Sequence, residues 1–180
     1  LPVPNERGAV TGLADSMAPG DIAELTRSGE LAFRASFEGR VPARSELYWR
    51  ALTLDQFDGR RWSQSPGEQF SPAPQWQPRG EALRYSVVMQ PTTRPWLFAL
   101  DVAQTELQGA RQMGDFRLQR NRPVDRALLY DVASWPQALR ESQLSSNRRQ
   151  ALLRLPREGD ARSRDWAQEL RRQYPQDGEL

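Results

Sequence analysis

From Glu30 to Glu38 apolar and polar residues alternate without a break, and a period of two fits a strand with one buried face. Leu31, Phe33, Ala35 and Phe37 point one way; Glu30, Arg34, Ser36 and Glu38 point the other. The same period returns from Glu81 to Gln90, with Leu83, Tyr85, Val87 and Met89 inward. Further strands are expected over Glu46–Leu54, with Leu47, Trp49 and Ala51 on one face, and in the return through Trp62. The Trp96–Leu100 run, Phe116-Arg117-Leu118 and Leu128–Val132 complete a set of seven candidates separated by turn signals. The expected fold class is mainly β, an antiparallel sandwich or barrel of about seven strands, with a C-terminal α-helix.

Punctuation between these runs sets the organisation. Residues 1–20 are rich in Gly and Pro and read as an extended arm, after which Pro19-Gly20-Asp21 opens a short turn over Ile22–Leu25. There Gly20 frees the backbone and Asp21 is placed to cap the turn that follows. Asp58-Gly59 suits the positive φ of a tight hairpin, with Phe57 and Trp62 as a large apolar pair locking its two sides. Residues 63–79 are expected to form a long exposed loop, and 137–153 fit helix, strand or ordered loop equally. Past Leu155-Pro156, Asp160 can cap a helix that sets Trp166, Leu170 and Tyr174 on one face and ends at Pro175. Such an apolar face needs a partner, and packing on an edge of the β domain is expected if the helix is ordered.

Composition removes most catalytic chemistry. The chain has no Cys and no His, and all 25 basic residues are Arg, so neither an imidazole triad, a cysteine nucleophile nor a Ser-Lys pair can be assembled. Thiolate zinc sites are excluded with the thiols, and no Gly-rich phosphate motif occurs; no cofactor or metal is expected. Two acids alone suffice for glycoside hydrolysis, and Asp55 and Asp58 are the nearest pair, but their place at a hairpin assigns them to turn hydrogen bonds. Arg60-Arg61, Arg148-Arg149 and Arg171-Arg172 are interspersed with acids and read as solvated surface, so no nucleic acid is expected. The Arg bias follows from GC-rich codons. Of the six tryptophans, Trp49, Trp62 and Trp96 sit in strand contexts and are assigned to packing, whereas Trp76 and Trp135 lie beside prolines and are the candidates for exposed aromatics. The longest apolar run, Trp96–Leu100, is far short of the roughly twenty residues of a spanning helix. With no initiator Met at Leu1 and a helical stretch just before Leu180, both ends read as cut from something longer.

Ser16-Met17-Ala18-Pro19-Gly20-Asp21-Ile22, Gly29-Glu30-Leu31-Ala32-Phe33-Arg34, Leu47-Tyr48-Trp49-Arg50 and Asp55–Trp62 occur in this order, followed by Trp96–Asp101 and Leu153-Arg154-Leu155-Pro156. Together they resemble the TgpA-type, membrane-anchored, transglutaminase-like proteins of Gram-negative bacteria, in the segment between their membrane helices and their catalytic core. The resemblance implies a periplasmic domain whose parent is anchored in the inner membrane and whose core carries a Cys-His-Asp acyl-transfer triad. It implies an extended arm over 1–20, a β-rich accessory domain over 21–155, and the first helix of a truncated core over 156–180. The partners it implies are the chain's own downstream core, met through Trp166, Leu170 and Tyr174, and the parent's protein or peptide substrates; membrane contact falls to flanking segments. Asp21, Trp49, Asp58, Gly59 and Trp62 are expected to be structural, and no catalytic residue is carried over.

The resulting expectation is a non-catalytic periplasmic accessory domain that orients or gates a transglutaminase-like core. A β module binding cell-wall sugar or peptide is the alternative, and a carboxylate-only enzyme is the third reading. Purified chain should show no transamidation, deamidation or peptidase activity. Amine incorporation into a glutamine substrate, surviving a control for contaminants, would contradict this.

Overall fold

The computed structural model describes residues 16–19, 21, 29–65, 74–141, 144–156 and 160–176. In chain order its strands are β1 (Ser16–Met17), β2 (Phe33–Phe37), β3 (Trp49–Arg50), β4 (Gln56–Phe57), β5 (Trp62–Ser63) and β6 (Trp76–Gln77). There follow β7 (Leu83–Met89), β8 (Trp96–Leu97), β9 (Ala99–Leu100), β10 (Ala103–Gln104) and β11 (Ala110–Gln112). The last are β12 (Leu118–Arg120), β13 (Leu128–Ser134) and β14 (Leu139–Arg140), before helices at Ser146–Leu152 and Ala161–Gln173. The architecture is mainly antiparallel β, with these two α-helices following the strands. The strands are shorter and more numerous than the sequence predicts, and they divide among small sheets.

A four-stranded sheet in the order β10-β13-β7-β2 is the frame. Its longest ladder pairs Leu128 with Met89 through to Ser134 with Leu83, and Phe33 pairs with Met89 on the other side. Period two does its work here: Tyr85, Val87, Met89, Tyr130, Val132 and Ser134 are buried, while Arg84, Val88, Leu129 and Asp131 face outward. Against the buried face lies the run Trp96–Leu100, buried throughout, with Leu118 and Val124 beside it.

That run is not one strand. Trp96 and Leu97 pair with β12, whereas Ala99 and Leu100 pair with β3, so the chain changes ladders at Phe98. Changing ladders inside a core strands backbone polar groups, which must be satisfied some other way. Two tyrosines of the frame do this: Tyr130 Oη donates to the Phe98 carbonyl at 2.8 Å, and Tyr85 Oη accepts the Leu100 N–H at 2.7 Å while sharing a 2.8 Å bond with Ser134 Oγ. Around the crossing, Phe33 stacks on Phe98 at 4.4 Å, and Trp49 meets Phe33 and Tyr85 edge-on at 4.7 and 5.6 Å.

Elsewhere the expected strands are trimmed. Glu46–Leu54 reduces to β3, because Arg44–Glu46 forms a 3₁₀ turn, although Leu47, Trp49 and Ala51 do all pack on the core. Phe116 is not in a strand: it adopts φ 68° in a turn closed by its N–H onto the Met113 carbonyl, and β12 starts at Leu118. Residues 63–79 are not loop throughout, since β6 pairs with β14; residues 66–73 lie outside the described residues. Most of the expected arm, and the turn over Ile22–Leu25, also lie outside them.

The β4–β5 hairpin forms at Asp58-Gly59. Phe57 pairs with Trp62, their rings stacked at 4.8 Å, and Gly59 has φ +105°. Asp58 Oδ1 accepts the N–H groups of Arg61 and Arg60 at 2.7 and 2.8 Å, and these two bonds hold its carboxyl below the usual carboxylate range. Asn at this position keeps the acceptor, so Asp58→Asn should change the melting temperature little. Gly59→Val forces a β-branched residue to positive φ and should cost about 1–3 kcal/mol, read as a lower urea midpoint at unchanged slope.

Burial pushes the Tyr85 hydroxyl from 10 up to about 12, with the Leu100 N–H and Ser134 pulling the other way. The unfolded chain loses this proton near pH 10 and the native protein holds it to about 12, so the stability it contributes is complete below pH 10 and is lost as pH rises toward 12. Tyr85→Phe strands the Leu100 N–H and should cost about 1–3 kcal/mol at pH 7. The variant's stability should then decline less steeply than the parent's between pH 10 and 11. Equal slopes in paired denaturant titrations would refute the assignment.

Candidate functional site

The residues singled out in the sequence are dispersed and anchored. Asp21 Oδ2 accepts the N–H of Ala18, three residues earlier, at 2.8 Å and meets Arg61 Nη1 at 3.4 Å, so it ties the β1 end to the hairpin. Its carboxylate reaches backward; the turn it was expected to cap lies outside the described residues. Trp49 is a half-buried wedge beneath the frame. Trp62 stacks on Phe57 with one side of its ring but is 41% exposed, so its assignment to core packing is corrected: the hairpin projects beyond the frame. Asp55 accepts both the N–H and the hydroxyl of Ser65, at 2.7 and 2.6 Å. With Asp58 occupied by backbone donors, these carboxylates are turn-makers rather than an acid pair.

Trp166 is 67% exposed, Tyr174 is exposed as well, and Leu170 is half-buried. The expectation that this face packs on the β domain is therefore overturned: the helix runs on with its largest apolar side chain in solvent. The paired arginines do not converge either. Arg61 pairs with Asp21, Arg148 with Glu141 at 2.9 Å, and Arg172 with Glu169 at 3.0 Å, on three separate elements.

Two features escaped the sequence reading. One is a network of buried charge. Arg50 donates to the Asp115 carbonyl at 3.0 Å and lies 3.5 Å from Asp101, which also takes Arg140 at 2.7 Å. Asp115 accepts the Thr53 hydroxyl and sits 3.2 Å from Nε of Arg117, a contact too oblique for a hydrogen bond. Arg117 is only 3% exposed. The network borders a cleft of about 470 Å³ that reaches Arg148 and Leu152 of the short helix. It joins four segments separate in sequence, at Arg50–Thr53, Asp101, Asp115–Arg117 and Arg140, and no spacing rule connects them.

The other is a cleft of about 1090 Å³ at the β10 end of the frame, continuing into one of about 540 Å³. Pro74, Trp76, Gln104 and Trp135 line both. Trp76, on β6, and Trp135, just past β13, are half-buried and meet at 5.3 Å with planes inclined at 47°. Trp76 Nε1 donates to Gln112 Oε1 at 3.0 Å, and Gln112 Nε2 donates to the Ala103 carbonyl at 3.1 Å. The Trp135 N–H donates to the Val102 carbonyl at 2.8 Å. The two tryptophans flagged by their proline neighbours are thus brought together, one held by its indole N–H and the other by its backbone, although they lie 59 positions apart.

Among the described residues no group of three metal-ligating side chains converges, and no helix is long and apolar enough to cross a membrane.

A family model described as the TgpA N-terminal domain matches residues 1–141. The protein-glutamine gamma-glutamyltransferase of Pseudomonas aeruginosa is 57% identical over 176 residues, which is 98% of this chain and 26% of that protein. A crystal structure of the periplasmic domain of TgpA from P. aeruginosa superposes with a TM-score of 0.87 at 58% identity, covering 93% of this chain and 58% of that one. A second, with ethylmercury bound, gives 0.87 at 56% identity, covering 93% and 59%. The chain spans about a quarter of the curated relative and under three-fifths of each crystallised chain. It belongs to the TgpA N-terminal domain family, as a periplasmic β-rich domain that has no Cys or His from which to build an acyl-transfer triad.

Proposed function

We propose that this domain serves a membrane-anchored, transglutaminase-like protein as a non-catalytic accessory unit that holds and orients a downstream Cys-His-Asp core. In that core a thiolate attacks the carboxamide of a protein-bound glutamine, ammonia leaves, and an amine or water resolves the thioester. The domain contributes position rather than chemistry. On this reading 1–20 is a tether, 21–155 is the accessory domain, and 156–180 begins the core.

The observation that carries the proposal is the exposed apolar face toward the C-terminal end. Leu152, Leu153, Leu155, Trp166 and Tyr174 are all exposed within a short span of sequence, and Trp166 at 67% is the most exposed of the large apolar side chains among the described residues. Burying side chains of this size is worth about 1.5–3 kcal/mol each, and a thirteen-residue helix holds itself weakly in water. The occupant is the downstream segment: the 57% identical relative is a protein-glutamine gamma-glutamyltransferase in which the matched stretch is 26% of the length. The mount is firm on the other side, because Arg148 ties the short helix to Glu141 at 2.9 Å and to the Gly114 carbonyl at 3.0 Å.

Hydrogen exchange tests this on two proteins, the present chain and the natural protein that carries it. Amides of Ala161–Gln173 should exchange rapidly in the chain alone and be protected at least about tenfold in the longer protein. Trp166→Ala should leave the chain's melting temperature unchanged and destabilise the longer protein by about 2–4 kcal/mol. Equal protection in both proteins would sink the proposal.

A further inference from the structure

We propose that the cleft at Trp76 and Trp135 binds a neutral, linear oligosaccharide, with a pyranose ring stacked on the cleft side of the packed indole pair.

Size and shape come first. A cleft of about 1090 Å³ continuing into a second of about 540 Å³ has room for several sugar units laid across both, and the indole pair stands where the two meet. The C–H face of a pyranose is flat and apolar, and it gains dispersion against an aromatic plane while its hydroxyls stay at the rim. The two indoles pack on each other at 5.3 Å, too close to admit a ring between them, and together present a wider apolar surface than a single ring does. Trp62 and Trp166 are more exposed than this pair but line neither cleft.

The hydrogen-bond pattern selects the ligand class. Grooves that take proline-rich peptides combine aromatic faces with donors for peptide carbonyls. Here the Trp76 N–H is committed to Gln112, and Gln112 to the Ala103 carbonyl, so that ring offers a face, while the donors that line the cleft include the side chains of Gln104 and Arg84. Exposed polar side chains at the rim, Gln104, Glu106 and Asp131 among them, suit sugar hydroxyls, which both donate and accept. Arg84 and Arg111 stand among Glu38, Glu106 and Asp131, a balance that gives an anionic ligand no net attraction. The seat is also made in advance. Gln112 holds Trp76, the Val102 carbonyl holds the Trp135 backbone, and the ladder of β13 fixes the approach, so little ordering is left for the ligand to impose.

The test is a titration of the chain with tetra-N-acetylchitotetraose and with cellotetraose, followed by amide chemical shifts. A proline-rich decapeptide runs in parallel. Saturable shifts at Trp76, Trp135 and Gln104 are expected with at least one tetrasaccharide and none with the peptide. Trp135→Ala should weaken binding about tenfold. Gln104→Ala, at an exposed rim position, should weaken it severalfold at unchanged melting temperature, and it decides the matter if Trp135→Ala fails to fold. Trp166→Ala should bind as the parent does. No saturation by either sugar, binding of the peptide alone, or loss of sugar binding in Trp166→Ala would each overturn the proposal.

Discussion

The fold depends on two phenolic hydroxyls that let the chain change ladders at Phe98 inside the core. A buried strand that leaves one partner for another has no ladder bond at the crossing, and an unmet backbone group there costs about 1–3 kcal/mol. Tyr130 meets the Phe98 carbonyl and Tyr85 meets the Leu100 N–H. Both tyrosines rise from the central strands β7 and β13, the longest in the structure, so the crossing is referred to its most rigid part. Burial raises both hydroxyls' pKa, which keeps them neutral and able to serve as hydrogen-bonding groups at any ordinary pH. Once Trp96–Leu100 is fixed, β12 and β3 each have an edge to pair with, and the small sheets assemble on either side.

The charged network works on the same logic at a different site. Turns at Asp101, with φ 43°, and Phe116, with φ 68°, bring the Asp101 and Asp115 carboxylates to partly buried positions beside the arginines. Arg50 and Arg140 converge on Asp101, and Arg50 also takes the Asp115 carbonyl. Removing one member of such a set leaves an uncompensated buried charge, so the set fixes geometry whatever its net contribution to stability. Through Arg140 on β14 and its neighbour Glu141, which holds Arg148, the network carries the frame's rigidity to the short helix.

What could be read from the sequence follows from length of period. Phe33–Phe37, Leu83–Met89 and the Leu128 strand were legible because each has at least five residues over which one face is buried and the other wet. The Asp58-Gly59 hairpin was legible because its chemistry is local: one carboxylate serves two N–H groups within three residues. Ribbons of two residues, such as β6, β10 and β14, have no period to detect, and they exist because longer strands present edges to them. The helix face at Trp166, Leu170 and Tyr174 was legible as a pattern, but a pattern does not name its partner, and the β domain proved not to be it. Trp76 and Trp135 were marked by neighbouring prolines; their meeting depends on β14 folding back on β6, a tertiary event with no local signature.

The two surfaces left open differ in how they are held, and the difference bears on their use. The indole wedge sits on the end of β13 and is locked by Gln112 to Ala103 and by the Trp135 backbone to Val102, both carbonyls belonging to fully buried residues. Opening it would cost a share of the global stability, so it suits recognition of a rigid ligand by shape. On the C-terminal helix Arg164 reaches the Pro156 carbonyl, Arg171 the Pro175 carbonyl, and Gln173 the Glu169 carboxylate. The apolar face of this helix lies open at Trp166 and Tyr174, which suits contact with a further folded unit better than recognition of a small ligand. The same β frame therefore offers a preformed cleft at the β10 end and an open apolar helix face beyond Glu141, with Arg140, which pairs with Trp76 across the β14–β6 ladder and with Asp101, standing between them.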